Sequence, residues 1–371
     1  MKKVIIIPDS FKGSISSVEA ANIIEKAVKQ KTKAITVKIP ISDGGEGFIK
    51  CFKTFSKGII TEVDAHNPYM EKIKSSYLII NNDTCVIELA KTAGIELIKD
   101  RGNPLLTSTY GVGEQIRDGL LKGYKHFYIG LGGSATNDGG CGILSALGVK
   151  FLNKFGYEFI PTGRTLHLIY DIILDSILSQ AKDASFEIFT DVKNPLTGEN
   201  GATMVYAKQK GASLEMLSVL ESNMCFLERL IQNKFGCNTA FEGAGAAGGA
   251  SIAFHCFLNS KFSNGIDAIL KIIKIDDLIK DASLIISGEG KLDSQSFQGK
   301  VIDGIAKKAF QFHIPFICIC GQIQDIVKNN YPLGLTEAYS LMTESMTLED
   351  ALHNTKYNLE QKVKEIINQY L

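Results

Sequence analysis

The chain of 371 residues has no tryptophan, only 8 prolines and no net charge, with 40 Lys and Arg against 40 Asp and Glu. Proteins whose main ligand is a nucleic acid normally carry a basic excess or stripe, so this balance argues against such a partner. No apolar stretch approaches the roughly twenty residues of a membrane-spanning helix. The apolar run after Lys3 ends at Pro8 and is too short for a signal peptide. We therefore expect a cytoplasmic protein with no membrane partner.

The sequence also lacks several patterns that define common classes of protein. Its eight cysteines include no CxxC pair and no spacing typical of a disulfide framework, so we expect reduced thiols and no zinc site. The P-loop pattern GxxxxGK[ST] and the HRD and DFG signatures of protein kinases are absent. These absences exclude two large classes of phosphotransferase but leave others open.

The two ends of the chain share one pattern of alternating predicted strands and helices. A β-branched run from Lys3 to Pro8 predicts a buried parallel strand, and the capping-box spacing of Ser16 and Glu19 predicts the start of a helix. Near the other end, apolar runs at 283–287 and 315–320 flank a helical pattern at 301–310. Strands joined by helices in this way form parallel sheets through right-handed crossovers.

The middle of the chain differs from both ends. Between Gly58 and Leu89, short alternating runs separated by turn residues predict an antiparallel meander. Further along, the patterns predict a strand at 126–131, a strand at 186–191 and a long helix at 214–235. We therefore predict an α/β protein in which residues 1–65 and 265–371 form one discontinuous domain and residues 66–264 form an inserted α/β domain.

Glycine is more frequent than in an average protein, with 35 copies, and the excess lies where predicted strands meet loops. Such loops bring backbone N–H groups close to an anion, and a following helix adds a favourable dipole. Phosphate is the anion that this pattern indicates, whereas tight turns or close helix contacts are the alternative. The glycine-rich loops span residues 43–47, 130–142, 243–249 and 288–290.

Acidic residues within or beside these loops predict a bridging cation. A carboxylate next to a phosphate would repel it unless a metal ion lies between them, and Mg²⁺ binds through one or two carboxylates plus phosphate oxygens. The alternative is that Asp138 caps its helix and Asp43 caps its turn. The predicted metal ligands are Asp138, Glu289 and Asp293, and the loop carboxylates also include Asp43 and Glu46.

Other polar residues complete the predicted site. Lys12 and Lys291 lie near glycine turns and would supply positive charge to phosphate, and Lys193 and Lys300 lie near the same loops. Asp191 ends a predicted strand, where a carboxylate can accept the proton of an attacking hydroxyl. The alternative is that Asp191 merely opens the Asn-Pro turn that follows it.

Seven segments of the chain, in this order, resemble the bacterial type I glycerate kinase family. Each segment alone is weak, but together they run from Pro8 to beyond Lys300. One departure is Ala207-Lys-Gln-Lys-Gly211, where the family usually has Gly-Pro-Gln-Lys-Gly. The segments are PDSFKGSISSVEAA, PISDGGEGF, ELAKTAGIELI, GLGGSATNDGGCG, DVKNPLTGENGA, GAGAAGG and SGEGKLDSQS.

The resemblance implies a fold and a reaction. It implies a flavodoxin-like domain built from both chain ends, a second mixed α/β domain inserted into it, and a cleft between them. It also implies transfer of phosphate from ATP, with Mg²⁺, to D-glycerate, in most members at the 2-hydroxyl to give 2-phosphoglycerate. Asp191 matches the family's catalytic base. The residues matching its conspicuous polar loops are Asp9, Ser10, Lys12, Asp43, Gly44, Gly45, Gly132, Gly133, Ser134, Asn137, Asp138, Glu289 and Asp293.

The predicted substrate- or phosphate-binding set adds Lys193, Gly288 and Lys291 to these residues. Lys193 and the region of Ser10 are the candidates for binding the glycerate carboxylate. The sequence leaves open which loop holds ATP, whether 3-phosphoglycerate is the product, and whether the protein is a homodimer. The alternatives are a kinase for another small molecule such as a different hydroxyacid, a catalytically silent nucleotide sensor of the same fold, and an α/β oxidoreductase, which a weak Gly130-Leu-Gly132 signal permits.

Overall fold

A computed structural model of the protein describes residues 1–11, 13–41, 45, 47–98, 101–297, 300–324, 327, 331–343 and 346–371. The chain divides into two compact units, which are described separately below. Unit 1 comprises Met1–Asp43, Lys50–Phe55 and Asn264–Leu371, and unit 2 comprises Gly44–Ile49 and Ser56–Ser263.

The described residues alternate between strands and helices along most of the chain. The strands are β1 (Lys3–Ile6), β2 (Ile35–Lys38), β3 (Ile59–His66), β4 (Lys72–Ile80), β5 (Thr84–Glu88), β6 (His126–Gly130), β7 (Lys150–Leu152), β8 (Glu158–Phe159), β9 (Asp171–Ile173), β10 (Ser185–Thr190), β11 (Ser260–Asn264), β12 (Leu284–Leu292), β13 (Phe316–Ile323) and β14 (Glu337–Ser340). The helices are α1 (Ser17–Lys31), α2 (Phe48–Phe55), α3 (Ala90–Ala93), α4 (Tyr110–Leu121), α5 (Cys141–Ala146), α6 (Ser179–Asp183), α7 (Ala202–Tyr206), α8 (Leu214–Phe235), α9 (Ala246–Gly249), α10 (Ser251–Phe257), α11 (Gly265–Ile272), α12 (Ile275–Ile279), α13 (Val301–Phe312), α14 (Leu348–His353) and α15 (Thr355–Ile366).

Unit 1 is built on a five-stranded sheet with the order β2-β1-β12-β13-β14. Every neighbouring pair in this sheet is parallel. Counted in chain order within the sheet, the strands follow the order second, first, third, fourth, fifth, which is that of a flavodoxin-like doubly wound fold. In this fold ligands bind beyond the carboxyl ends of the first and third strands, where the order reverses. Here those strands are β1 and β12.

Helix α1 of unit 1 begins as the sequence predicts. The Ser16 side chain accepts a hydrogen bond from the Glu19 amide, and the Glu19 carboxylate in turn accepts one from the Ser16 amide. Its buried face packs on the sheet together with α15. The core between these elements consists of aliphatic side chains, among them Val4, Ile6, Ile24, Val28, Ile286, Ile317, Leu359 and Val363.

Unit 2 contains a mixed six-stranded sheet with the order β3-β4-β5-β6-β10-β11. Strands β3, β4 and β5 pair antiparallel, which confirms the predicted meander. Strands β5, β6 and β10 are parallel neighbours, so their carboxyl ends lie at one edge of the sheet. A small antiparallel sheet, β8-β7-β9, completes the unit and was not predicted.

Two expectations from the sequence are wrong. Cys237 and Cys256, whose Cα atoms are 5.7 Å apart, form a disulfide between the end of α8 and α10, so these two are not reduced thiols. The spacing of the cysteines does not predict this disulfide, because the two residues are 19 positions apart and meet only through tertiary packing. The apolar spacing between Leu348 and Leu371 predicts a single amphipathic helix, whereas the structure divides it at Asn354 into α14 and α15.

Within the described residues, no helix combines the length and the apolar character needed to cross a bilayer.

Candidate active site

Three loops of unit 2 begin at the carboxyl ends of its parallel strands, at one edge of the sheet. Glu88, at the end of β5, lies opposite Gly130, at the end of β6, and Gly130 lies opposite Phe189 in β10. The Leu131 amide continues the pairing by donating to the Phe189 carbonyl at 3.1 Å. The segments after Glu88, after Gly130 and after Thr190 therefore start side by side, although they are far apart in the sequence.

The loop from Leu131 to Gly140, called the serine loop below, is organised by Asp138. The Asp138 side chain is fully buried. Its Oδ2 accepts hydrogen bonds from the Thr109 amide (2.8 Å), the Thr109 hydroxyl (2.9 Å) and the Gly142 amide (3.2 Å), and its Oδ1 accepts one from the Gly140 amide (3.2 Å). Burial raises the pKa of the Asp138 carboxyl, against the hydrogen bonds from Thr109, Gly140 and Gly142.

These contacts bear on the predicted role of Asp138 as a metal ligand. Both of its oxygens accept hydrogen bonds from the protein, and two of the donors are amides at the start of α5. The geometry favours the alternative that the sequence left open, in which Asp138 caps its helix. We therefore treat Asp138 as a residue that holds the serine loop.

Two neighbours in the serine loop carry buried polar atoms that have no partner in the described part of the chain. Asn137 donates from Nδ2 to the Thr203 hydroxyl at 3.2 Å. Within the described part of the chain, Asn137 Oδ1 and Thr136 Oγ1 have no hydrogen-bond partner. Leaving a buried polar atom unpaired costs about 1 to 3 kcal/mol, so such atoms are uncommon away from functional sites.

The third glycine-rich loop packs against the serine loop. The Gly139 amide donates to the Gly248 carbonyl at 3.1 Å. Gly248 has a φ of +67°, and a Cβ placed there would lie 2.0 Å from the Thr136 carbonyl oxygen. Only glycine permits this approach, which explains the glycine at this position by close packing. Loop 243–249 therefore supports the serine loop.

Asp191 lies at the same edge, directly after β10. The segment that follows it is fixed at several points: the Asn194 amide side chain accepts from the Tyr206 hydroxyl at 2.7 Å, and the Asn194 carbonyl accepts from the Gly245 amide at 2.9 Å. Burial raises the pKa of Tyr206, and the charge of Asp191 adds to this. Asp191 itself is half-buried. Because the contacts of Asn194 fix the segment that follows, the Asp191 carboxylate has a defined position.

Lys193 is an exposed neighbour of Asp191. Its Nζ lies 3.1 Å from Glu242 Oε1, and both side chains are more than half exposed. An exposed pair of this kind contributes little stability, so an anionic ligand competes with Glu242 at little cost. Of the predicted glycine positions, Gly132 and Gly133 lie at the start of the serine loop, and Gly133 has a φ of +72°.

Glu88 had no predicted role of its own. It is buried and accepts hydrogen bonds from the Gly47 amide at 3.2 Å and the Ile49 amide at 3.1 Å. These bonds fix the segment that contains Gly45, whose carbonyl accepts from the Phe48 amide. The signal was its position at the end of a strand, where a buried acid needs hydrogen-bond donors.

In unit 1, predicted residues meet at the point where the strand order reverses. The Asp9 amide, just beyond β1, donates to the Gly288 carbonyl in β12 at 2.8 Å. The Asp9 carboxylate accepts from the Ser10 amide at 2.6 Å. Glu289 follows Gly288 inside β12, so the predicted loop 288–290 is part of this strand. Because β1 ends at Ile6, Asp9 and Ser10 lie beside this part of β12, near the position at which doubly wound folds bind ligands.

Glu289 is a half-buried carboxyl whose pKa is shifted. Burial raises its pKa to about 8, and the charges of Asp9 and Asp293 act in the same direction, against a hydrogen bond from Ser296 and the charge of Lys300. Its Oε1 has no partner among the described residues. Asp293 Oδ1 accepts from the Ser296 amide at 3.3 Å. Lys291 is exposed, and its carbonyl accepts from the Ser296 hydroxyl.

The carboxylates of unit 1 fit a magnesium ion of the kind that depends on its substrate. No group of three or more metal-ligating side chains occurs in the described residues. Mg²⁺ normally needs only one or two carboxylates, because phosphate oxygens and waters supply the rest. Glu289 Oε1, which has no hydrogen-bond partner among the described residues, is an oxygen of the required type. The negative charge of Asp293 is close enough to raise the pKa of Glu289. Four residues named in the predictions, Lys12, Asp43, Gly44 and Glu46, lie outside the described residues.

Taken separately, unit 1 is a doubly wound α/β fold with polar residues at its ligand-binding edge, and unit 2 is an α/β fold whose glycine-rich loops surround buried polar groups. This class of protein binds small anionic molecules. The glycerate kinase family model matches residues 4–371, and the chain belongs to this family.

Individual relatives cover almost the whole chain. It is 37% identical over 368 residues to a glycerate kinase of Bacillus subtilis (strain 168), spanning 98% of this chain and 96% of the relative. It is 36% identical over 361 residues to glycerate 2-kinase of Escherichia coli (strain K12), spanning 96% and 95%. A crystal structure of a proposed glycerate kinase 2 from Salmonella typhimurium LT2 superposes with a TM-score of 0.82 at 32% identity, covering 99% of this chain and 98% of that one.

Proposed function

We propose that this protein transfers the γ-phosphoryl group of ATP to the 2-hydroxyl of D-glycerate, giving 2-phosphoglycerate. Membership of the glycerate kinase family supports the reaction class, and the similarity to glycerate 2-kinase of Escherichia coli supports the 2-hydroxyl as the acceptor. The observation that carries most weight is the position of Asp191 on an ordered loop beside the serine loop, at one edge of the unit 2 sheet.

Asp191 is the general base in this proposal. The hydroxyl of glycerate loses its proton as its oxygen attacks phosphorus, and a half-buried carboxylate on a fixed loop can accept that proton. Lys193 is the candidate partner for the glycerate carboxylate, since its present partner Glu242 is exposed. Ser134 and the amides of Gly132 and Gly133 are the candidate donors to anionic oxygens.

The residues of unit 1 would bind the metal ion and the phosphate groups. Glu289 and Asp293 would hold Mg²⁺, and Lys291 would supply positive charge to phosphate oxygens. A magnesium ion bound there supplies charge neutralisation of the triphosphate. Asp9 and Ser10 order the turn after β1, where the Ser10 amide already donates to the Asp9 carboxylate. Lys12, Asp43, Gly44 and Gly45 complete the proposed set.

Release of ADP in a coupled assay, measured with ATP, Mg²⁺ and D-glycerate, tests this function. We expect turnover that requires D-glycerate and falls strongly with L-glycerate or with glycolate. Turnover with another small hydroxyacid but not with D-glycerate would replace the proposed substrate. ATP binding without any turnover would favour the silent nucleotide sensor instead.

The oxidoreductase alternative has weaker support. In a dinucleotide-binding unit the helix begins within the glycine-rich turn that follows the strand. Here β6 ends at Gly130 and α5 begins only at Cys141, after the serine loop. Titration with NADH should therefore give no spectroscopic change.

A further inference from the structure

Lys210 is a buried lysine that the proposed mechanism does not use. It ends a short 3₁₀ helix, Lys208–Lys210, in the segment where the chain departs from the family pattern. Lys208 is exposed, whereas Lys210 is only 2% exposed. A buried ammonium group needs hydrogen-bond partners, because removing its charge from water is costly.

The partners of Lys210 both belong to the serine loop. Its Nζ donates to the Ser134 hydroxyl at 2.9 Å and to the Thr136 carbonyl at 2.7 Å. Burial lowers the pKa of Lys210 to about 7, and the charge of Asp138 acts in the opposite direction. One side chain thus joins two points of the loop that carries the proposed substrate contacts.

The backbone at Lys210 is held in place by two glycines. A Cβ on Gly102 would lie 2.8 Å from the Lys210 carbonyl oxygen, and a Cβ on Gly211 would lie 2.2 Å from the Gly102 carbonyl oxygen. Gly211 has a φ of +94°, a conformation that glycine adopts without strain. Since the backbones touch here, the Lys210 side chain starts from a fixed point, and its contacts fix the serine loop in turn.

We propose that Lys210 is a positioning residue for the reaction proposed above, acting by orienting the Ser134 hydroxyl toward an anionic oxygen of a substrate. A serine hydroxyl has one hydrogen to donate. Because the Lys210 ammonium donates to the Ser134 oxygen, the Ser134 hydrogen must point elsewhere. Ser134 is 8% exposed, and in this proposal its hydroxyl hydrogen is donated to a phosphate or carboxylate oxygen. This inference rests on the proposed function.

Kinetics of Lys210→Met, Ser134→Ala and the double variant test the inference, with Lys208→Met as the matched control from the same turn. Displacing a substrate contact by about 1 Å can reduce turnover about a hundredfold. We expect Lys210→Met and Ser134→Ala each to lower kcat/KM by at least about tenfold, and the double variant to be no worse than the poorer single variant, since both remove one interaction. Lys208→Met should behave as wild type.

The substrate whose KM changes identifies the anion. A rise confined to the KM of ATP assigns Ser134 to a phosphate oxygen, and a rise confined to that of D-glycerate assigns it to the carboxylate. Wild-type kinetics in Lys210→Met, or losses that multiply in the double variant, would overturn the inference. If Lys210→Met does not fold, Ser134→Ala decides, and unchanged kcat and KM in that variant would overturn it.

Hydrogen exchange separates this inference from the proposed function. If the wild type has no turnover with D-glycerate, the proposed function fails. The amides of residues 134–138 should still exchange faster in Lys210→Met than in Lys208→Met, because the loop has lost its ammonium contacts. Equal exchange in the two variants would show that Lys210 does not position the loop.

Discussion

Asp191 is the residue on which the chemistry depends. Replacing it with Asn keeps the size of the side chain but removes the proton acceptor. Loss of a general base lowers turnover by about a hundredfold or more. We expect this loss in kcat for Asp191→Asn, with ATP affinity measured by calorimetry nearly unchanged.

Glu199→Gln is a matched control for this substitution. Glu199 is an exposed acid in the same loop and should retain full activity when neutralised. Full turnover in Asp191→Asn would remove Asp191 from the mechanism and favour the view that it only opens the turn at Asn194-Pro195.

Glu289 predicts a pH dependence of stability. Its pKa is raised from the ordinary 4.5 to about 8, so the folded protein binds a proton more tightly than the unfolded chain does. The resulting stabilisation is complete below the unfolded pKa and is lost as the pH rises through about 8. We expect thermal unfolding without added metal to show this loss in the wild type and not in Glu289→Gln. Parallel melting curves for the two proteins across that range would contradict the assignment.

At the scale of elements, the contact between the two glycine-rich loops of unit 2 is a sharp test of the fold. Gly248 and Gly236 both have positive φ, at +67° and +64°. A Cβ on Gly248 meets the Thr136 carbonyl oxygen at 2.0 Å, whereas a Cβ on Gly236 has nothing within 4 Å. The two positions therefore differ in packing and not in backbone conformation.

Gly236→Ala should lower the free energy of unfolding by about 1 to 2 kcal/mol, the cost of a left-handed conformation. Gly248→Ala should lower it by at least about 3 kcal/mol and should also reduce turnover, because the serine loop must move. Urea denaturation of both variants measures the difference. Equal losses in the two would contradict the described contact.

The disulfide between Cys237 and Cys256 is a second prediction at this scale. Closing a loop of this length stabilises a protein by roughly 3 kcal/mol. Reduction of the wild type should therefore lower its free energy of unfolding to that of Cys256→Ser. Cys225→Ser, which changes a cysteine outside the disulfide, is the control and should keep the stability of the wild type.

Thiol titration of the unfolded protein without reductant gives the direct count. We expect six reactive thiols, from the cysteines other than Cys237 and Cys256: Cys51, Cys85, Cys141, Cys225, Cys318 and Cys320. Eight reactive thiols would show that the disulfide does not form.

At the scale of the whole molecule, local signals predicted most of the elements. The capping box at Ser16 marked the start of α1, and the meander between Gly58 and Leu89 became β3, β4 and β5. The comparisons confirm the predicted family and the α/β fold class. The predicted domain boundaries at residues 65 and 265 stay a prediction.

The contacts within the candidate site were harder to predict, because they join distant segments. Nothing near Asp138 in the sequence shows that Thr109 binds it, and nothing near Lys210 indicates Ser134. The small sheet β8-β7-β9 was not predicted for a different reason: strands of two or three residues are too short to show a hydrophobic period.

The most direct test of the central claim is a proton-coupled phosphorus NMR spectrum of the product formed from ATP and D-glycerate. A phosphate on the 2-hydroxyl couples to one proton on the adjacent carbon and gives a doublet, whereas a phosphate on the 3-hydroxyl couples to two and gives a triplet. We predict a new phosphomonoester doublet that appears as ATP is converted to ADP. A triplet would contradict the 2-hydroxyl as the acceptor, and no phosphomonoester signal at all would contradict the proposed reaction.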